Sequence, residues 1–293
     1  MLVDLKLSVR VTQTGAEKKG GLWPGSKQIW SPYRIYASLG TVALELDNDQ
    51  EMLSNGLRFV RGYDLTTTMR LSVIIPVYNE RATIIQLLSR VAAINIEKEI
   101  IVVDDCSTDG TRAVLKEHHD ATFTLLLHDY NQGKGAALRT GFGHATGEFV
   151  IIQDADLEYD PSDFPKLLAI VESENAAVVY GSRLATSQPT MTLRHFVGNR
   201  LLTGLTNLLY GSQLTDMETC YKLLDRRLVK NLDLVSNSFN VEPEITAKLL
   251  KQGVTIHEVP ISYSGRSFAE GKKISWKDFI SAVWTLVSLR VSA

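Results

Sequence analysis

Between residues 71 and 180 the sequence alternates short apolar runs with segments of helical spacing. The apolar runs, such as 71–75 and 100–103, are hydrophobic apart from Ser72 and do not alternate with polar residues. A strand that is apolar on both sides must be covered on both sides, which is typical of parallel sheets with helices on each face. The sequence therefore predicts a doubly wound, mostly parallel α/β domain. Further strands are expected over 122–127, 148–153 and 176–180, and helices over 81–94, about 111–118, 135–144 and 163–172.

Composition sets limits on partners and compartment. The chain has 293 residues and a formal net charge of -2, so it has no general attraction for nucleic acid, and we expect no such partner. Its two cysteines, Cys106 and Cys220, cannot form a disulfide framework, which favours a cytoplasmic protein with reduced thiols. No run of about 20 apolar residues is present, so we expect any membrane contact to be peripheral, at the inner face.

The first 68 residues differ from the rest. Residues 15–26 are rich in turn formers, and 41–46 is the one passable strand. Because Met69 directly precedes the first regular strand, we interpret 1–68 as a loosely structured extension or a mis-assigned start. A small accessory module is the alternative. Residues 69–264 are then the main domain, and 265–293 form a mobile basic loop and a C-terminal amphipathic helix.

The end of the fourth predicted strand carries the strongest chemical signal. Asp154 and Asp156 are two residues apart, so they lie on one side of an extended chain. Neighbouring carboxylates repel each other unless a cation or shared proton intervenes, and Mg²⁺ prefers such oxygen ligands. Asp-x-Asp is common in proteins, but its position at a strand end beside Glu158 predicts a divalent metal site, for Mg²⁺ or Mn²⁺.

Other strand ends offer candidate ligand contacts, because parallel sheets bind ligands at the carboxyl ends of their strands. Tyr78 and Glu80 can hold a nucleoside, although Glu80 also suits the first turn of a helix. Asp105 can bind a base or ribose hydroxyl. Arg183 and Arg194 can hold an acceptor phosphate, with surface salt bridges as the alternative.

A glycine-lysine segment, 131–136, looks at first like a phosphate-binding loop. It lacks the first glycine of that motif and the Ser or Thr after Lys134, which excludes a nucleotide triphosphatase of this type. Turn glycines that serve packing are the favoured interpretation, although the following helix N-terminus can assist anion binding.

Taken in order, five motifs resemble the family-2 glycosyltransferases of the GT-A fold, most closely the dolichol-phosphate mannose synthase-like branch. They are VIIPVYNE (73–80), VVDDCSTD (102–109), NQGKG (131–135), DAD (154–156) and GSR (181–183). The resemblance implies a nucleotide pocket lined by Pro76, Tyr78, Glu80, Val103 and Asp105. It also implies that Asp154, Ala155 and Asp156 meet the metal and diphosphate, that Glu158 is a metal ligand, and that Arg183 and Arg194 face a phosphate.

The C-terminal part resembles the same branch. Residues 214–222 are similar to an acceptor-side segment, and 265–276 to a mobile loop from which Arg266 and Lys272 reach the donor diphosphate. The last stretch, 276–291, suits either a membrane interface or packing against the core.

These features predict an inverting hexosyltransferase that uses a nucleotide-sugar donor, GDP-mannose or UDP-glucose, and a polyprenyl or dolichyl phosphate acceptor. Asp156 and Arg183 are the expected catalytic residues, and Asp216 is the general base if the acceptor is a hydroxyl. A transferase acting on a saccharide or protein hydroxyl, and an inactive nucleotide-sugar-binding module, remain alternatives. A dehydrogenase is disfavoured because the first strand lacks a glycine fingerprint.

Overall fold

The computed structural model describes residues 70–185, 191, 193–266 and 276–292, together with the backbone of three short strands nearer the N-terminus. The chain divides into two compact units, Met1–Thr68 and Met69–Ala293. In the first unit, β1 (Val9–Val11), β2 (Ile35–Ala37) and β3 (Val42–Leu44) form an antiparallel sheet in that order. β3 lies within the one strand predicted there, whereas β1 and β2 were not predicted. The origin of this unit stays a prediction.

A seven-stranded sheet organises the second unit. Its order is β10-β8-β9-β7-β4-β5-β6, and all neighbours are parallel except β9, which runs antiparallel to both β7 and β8. The predicted, mostly parallel GT-A sheet is therefore confirmed. The strands are β4 (Leu71–Val77), β5 (Lys98–Asp104), β6 (Thr124–Leu127), β7 (Phe149–Ile152), β8 (Val178–Ser182), β9 (Lys222–Asp225) and β10 (His257–Pro260).

Helices cover the sheet where the apolar spacing predicts them. In the first, Ile84, Leu87, Leu88 and Val91 recur at helical intervals and are buried. The helices are α1 (Ile84–Ala93), α2 (Thr111–Glu117), α3 (Lys134–His144), α4 (Phe164–Glu174), α5 (Leu193–Tyr210), α6 (Arg226–Lys230), α7 (Val241–Lys251) and α8 (Trp276–Val291), with a 3-10 turn at Pro161–Asp163.

The sequence did not predict β9, because this strand begins with a fully buried lysine. The Lys222 ammonium donates hydrogen bonds to the carbonyls of Met217 and Thr219 and lies 4.7 Å from the centre of the Tyr180 ring. Burying an ammonium is costly unless its donors are satisfied, and here the chain supplies the partners itself. Periodicity cannot indicate such an arrangement.

The C-terminal helix packs against the domain. Ala282 and Leu286 of α8 share a buried apolar cluster with Leu202 of α5 and Ala247 of α7. None of the helices in the described part of the chain is long and apolar enough to cross a membrane.

Candidate active site

The carboxyl ends of the central strands bring the predicted residues to one edge of the sheet. Pro76 on β4 is in register with Val103 on β5, and Tyr78 and Glu80 follow β4 directly. Asp154 and Asp156 follow the adjacent β7. The Thr83 hydroxyl donates to the Ala155 carbonyl at 2.8 Å, which joins the two segments.

Arg266 lies among three carboxylates at this edge. Its guanidinium nitrogens are 3.0 Å from a Glu80 oxygen and 3.1 Å from an Asp156 oxygen, and Nε is 3.9 Å from Glu158. The sequence predicted that Arg266 contacts a diphosphate. In this structure the guanidinium instead forms ion pairs with a carboxylate that follows β4 and with carboxylates that follow β7.

The acidic residues at this edge change one another's ionisation. Burial and the nearby Asp154 and Glu158 carboxylates together raise the pKa of Asp156 to about 7, although Arg266 acts in the opposite direction. A carboxylate with a raised pKa beside other acids is a frequent property of functional sites, because an additional cation would relieve the repulsion.

Glu158 has a different environment from the two aspartates. Its carboxylate accepts hydrogen bonds from the Tyr263 hydroxyl at 2.6 Å and the Arg266 backbone amide at 2.7 Å. An isolated β-bridge between Tyr159 and Tyr263 strengthens the same connection. Glu158 thus anchors the start of the C-terminal loop, and its role as a metal ligand stays a prediction.

Lys134 is the main site residue that sequence reasoning missed. Its ammonium is 2.7 Å from Asp154 and 2.8 Å from Glu242, and Lys222 lies 3.5 Å from the other Glu242 oxygen. Burial alone would lower the pKa of Lys134, but Asp154 and Glu242 hold it well above its usual value. A lysine in the first turn of a helix is unfavourable against the helix dipole, and that mismatch was the signal of a compensating acid.

The glycines beside Lys134 allow a close approach of two backbones. A Cβ at Gly133 would lie 2.2 Å from the Asn237 carbonyl oxygen, and one at Gly135 would lie 2.1 Å from the Ser236 carbonyl oxygen. Gly133 also has a φ of +92°, in the left-handed region that favours glycine. Because these glycines have no Cβ, the start of α3, which includes Lys134, can pack directly against the segment before α7.

Two residues predicted to contact the donor are buried in this structure. The Asp105 carboxylate is buried and accepts hydrogen bonds from His128 Nδ1 at 2.7 Å and from the amides of Gln132 and Gly133 at 2.8 and 2.7 Å. It therefore holds the 128–133 segment in place, and its contact with a base or ribose stays a prediction. The Val103 side chain is fully buried, so only its backbone can line a pocket.

Arg183 and Asp216 form a buried ion pair. Arg183 donates from Nε to Asp216 Oδ2 at 2.7 Å and from Nη2 to Oδ1 at 2.8 Å, and its backbone amide adds a third bond. Asn199 of α5 donates a fourth, at 2.7 Å. Burial would raise the pKa of Asp216, but Arg183 outweighs it and the pKa is lowered. This arrangement does not favour a general base, because the Asp216 carboxylate is buried, ion-paired and has a lowered pKa, and that role stays a prediction.

The remaining predicted residues are placed as follows. Tyr78 and Pro76 are partly exposed at the end of β4, and Ala155 is buried. Arg194 is exposed in the first turn of α5. Arg183 also lies beneath two aromatic rings, 5.2 Å from the centre of Tyr263. Lys272 lies outside the described residues.

The donor set suits a hard divalent cation. Two adjoining groups of ion pairs among the described residues bring five carboxylates together with three cations, and carboxylate oxygens are the ligands that a hard divalent cation prefers. Within the described residues, no three acidic, histidine or cysteine side chains are arranged to hold a metal together. Arg266 and Lys134 lie between the acids in this arrangement, so Asp154 and Asp156 fit the ion better than Glu158 does. The carboxylates are Glu80, Asp154, Asp156, Glu158 and Glu242, and the cations are Lys134, Lys222 and Arg266.

The fold is shared with solved sugar transferases. Glucosyl-3-phosphoglycerate synthase from Mycobacterium tuberculosis, in complex with Mn²⁺, UDP and phosphoglyceric acid, aligns with a TM-score of 0.60 at 19% identity, over 77% of this chain and 80% of the other. Mannosyl-3-phosphoglycerate synthase from Rubrobacter xylanophilus aligns with a TM-score of 0.58 at 18% identity, over 75% and 72%. These likenesses establish the GT-A fold.

Sequence comparison identifies the family. Two similar proteins come from Haloferax volcanii: the low-salt glycan biosynthesis hexosyltransferase Agl6, 31% identical over 67% of this chain, and the glycosyltransferase AglJ, 29% identical over 66%. The matched regions span 48% and 63% of those relatives. The model of glycosyl transferase family 2 matches residues 72–233, more than half of the chain. The chain therefore belongs to glycosyl transferase family 2.

Proposed function

We propose that this chain is an inverting hexosyltransferase that moves a sugar from a nucleotide-diphosphate donor to a polyprenyl phosphate, as in the dolichol-phosphate mannose synthase-like branch. One observation carries the proposal. Asp154 and Asp156 lie close together with Glu158 at the carboxyl edge of the sheet, where burial and the neighbouring carboxylates raise the pKa of Asp156 to about 7. Such a site gains stability when a divalent cation and its bound diphosphate arrive together.

The donor side follows from that charge distribution. Asp154 and Asp156 would hold Mg²⁺ or Mn²⁺, which supplies charge stabilisation for the departing nucleoside diphosphate. Tyr78 and Glu80 would contact the nucleoside. Arg266 would leave the carboxylates it now contacts and, with Lys272, bind the diphosphate, since a guanidinium suits phosphate oxygens as well as carboxylates. GDP-mannose and UDP-glucose both suit this arrangement.

The acceptor side favours an acceptor that is already ionised. The carboxylate expected to serve as a base, Asp216, is bound to Arg183 and has a lowered pKa. A phosphate oxygen needs no such base, whereas an alcohol must lose a proton in the transition state. Asp216 would act by orienting Arg183, and Arg183 and Arg194 would bind the acceptor phosphate. The name of Agl6 as a hexosyltransferase of glycan biosynthesis is compatible with a lipid-linked acceptor.

A transfer assay tests this proposal. Radiolabelled GDP-mannose and UDP-glucose are each incubated with a polyprenyl phosphate and Mn²⁺, and the product is extracted into butanol. We expect label in butanol with one donor, loss of product with a chelator, and about a 1000-fold lower rate for Asp156→Asn. Glu117→Gln, which changes an exposed acid on α2, is the matched control.

The other outcomes separate the alternatives. Label that stays aqueous with a saccharide or protein would assign a hydroxyl acceptor. Nucleotide-sugar binding without turnover would indicate an inactive binding module. An undiminished rate in Asp156→Asn would exclude this residue from the metal site.

A further inference from the structure

Two helices hold most of the exposed apolar surface of the second unit. Twelve large hydrophobic residues are exposed in the described part of the chain, and nine of them lie on α5 and α8. Both tryptophans of α8 are more than two thirds exposed, at 70% and 72%. We call these nine side chains the α5/α8 face: Leu193, Val197, Leu201 and Leu208 on α5, and Trp276, Ile280, Trp284, Val287 and Val291 on α8.

The nine residues form one surface. At about 100° per residue, each set falls within an arc of about 80° on its helix. Leu202 of α5 and Ala282 and Leu286 of α8 lie on the opposite sides and enter the same buried cluster. Because both helices bury one side in a common core, their apolar arcs both point away from it. The Tyr210 hydroxyl donates to the Leu286 carbonyl at 2.7 Å and joins the two helices directly.

Basic side chains flank this surface. Arg194 and Arg200 on α5, and Lys277 and Arg290 on α8, are exposed and lie about 20–40° outside the two edges of each apolar arc. α5 contains no acidic residue, and Asp278 of α8 is partly buried on the other side of its helix. The surface is therefore cationic in a chain whose net charge is -2.

We infer that the α5/α8 face docks on an anionic lipid bilayer. Tryptophan suits the headgroup region because one part of its ring is apolar and the other polar, and flanking Lys and Arg pair with lipid phosphates. A second copy of the chain fits less well, since a symmetric contact would bring the cations of both copies together.

The same helix connects the surface to the site. On the side of α5 away from the bilayer, Asn199 donates to Asp216, which holds Arg183. Docking through this face would place the residue proposed for the acceptor phosphate close to the lipid surface. The inference deepens the proposed function in this respect, although the surface itself is defined independently of the acceptor.

Vesicle binding tests the inference. The full-length protein is mixed with vesicles of phosphatidylcholine alone or of phosphatidylcholine with phosphatidylglycerol, and the bound fraction is measured by flotation. We expect salt-sensitive binding to the anionic vesicles. Trp276→Ala with Trp284→Ala should lower the partition coefficient about tenfold. Lys277→Gln with Arg290→Gln should lower it about 30-fold on anionic vesicles and little on neutral ones.

Matched controls are available outside the surface. Tyr130→Ala with Val235→Ala removes exposed apolar side chains, and Lys116→Gln with Lys230→Gln removes exposed cations. Both control pairs should bind as the unaltered protein does. Unchanged vesicle binding in the tryptophan variant would overturn the inference. So would a failure of the unaltered protein to bind anionic vesicles. A dimer in size-exclusion chromatography that the tryptophan changes dissociate would assign the face to a second copy instead.

A soluble acceptor separates this inference from the proposed function. With a short-chain polyprenyl phosphate and no vesicles, the tryptophan variant should transfer sugar at the unaltered rate. Vesicle binding without any transfer would leave the docking surface standing and reject the acceptor. Transfer without vesicle binding would reject the docking surface alone.

Discussion

The two arginines of the site form ion pairs of different kinds. Arg183 pairs with one carboxylate, Asp216, which accepts four hydrogen bonds and is completely buried. Arg266 lies among three carboxylates, and its buried Nε has no hydrogen-bond partner among the described residues. In the first arrangement the guanidinium binds both oxygens of a single carboxylate, while in the second it is shared by several carboxylates.

This difference separates an ion pair that holds the fold together from one whose arginine can be replaced by another cation. A balanced, fully hydrogen-bonded pair has little to gain from a new partner, and removing either member leaves a buried charge. An arginine shared by several acids can be replaced by another cation, because the acids still attract one. Arg183 should therefore contribute strongly to stability and bind a phosphate without leaving Asp216, whereas Arg266 should exchange its carboxylates for a ligand.

The largest expected effect is that of Arg183→Ala. It leaves Asp216 buried without its cation, so the free energy of unfolding should fall by about 3–5 kcal/mol in urea denaturation. Because the folded pKa of Asp216 is lowered, the pair stabilises the protein above the unfolded pKa of about 3.9, and this contribution is lost as the pH falls below it. Without Arg183, burial raises the pKa of Asp216 in the variant, so the difference between the two proteins should be largest near pH 8 and should shrink as the pH falls and Asp216 of the variant becomes protonated. If the free energy of unfolding fell by less than about 1 kcal/mol, the proposed difference between the two arginines would be contradicted.

Lys134→Met should have an intermediate effect. The ammonium is shared by Asp154 and Glu242 and is mostly buried, so its loss should lower the free energy of unfolding by about 2–3 kcal/mol. Mn²⁺ should restore part of that stability in a thermal-shift measurement. Lys166→Met is the matched control, because its pair with Asp163 is half exposed on the lysine side and should contribute under about 1 kcal/mol. Equal losses in the two variants would show that burial of the Lys134 cluster does not matter.

The smallest effect on stability is expected for Arg266→Ala. Its partly exposed contacts are shared among several acids, so the free energy of unfolding should change by less than about 1 kcal/mol. Without the competing guanidinium, Mn²⁺ alone should raise the melting temperature more than in the unaltered protein, and nucleoside diphosphate should bind more weakly. Calorimetry of Mn²⁺ and of the nucleotide measures both. Weaker Mn²⁺ binding in the variant would contradict the exchange of cations.

Sequence patterns predicted the regular elements well where burial is uniform. The strands at 71–77 and 149–152 are apolar except for Ser72, and the predicted bounds differ from the observed ones by few residues. β9 was missed because it begins with the buried Lys222, whose charge is satisfied by carbonyls that no local pattern reveals. The ion pair of Asp216 was missed for a similar reason, since its partner Arg183 is 33 residues away in the chain.

The sequence by itself determined a parallel sheet and the set of acidic and basic residues at its carboxyl edge. Hydrophobic burial acts on each apolar run separately, so the position of each strand can be inferred from residues that are neighbours in sequence. Only the tertiary structure decided which cation meets which carboxylate, as with Lys134 between Asp154 and Glu242. Coulomb energy depends on distance and on exclusion of water, and residues distant in sequence set both.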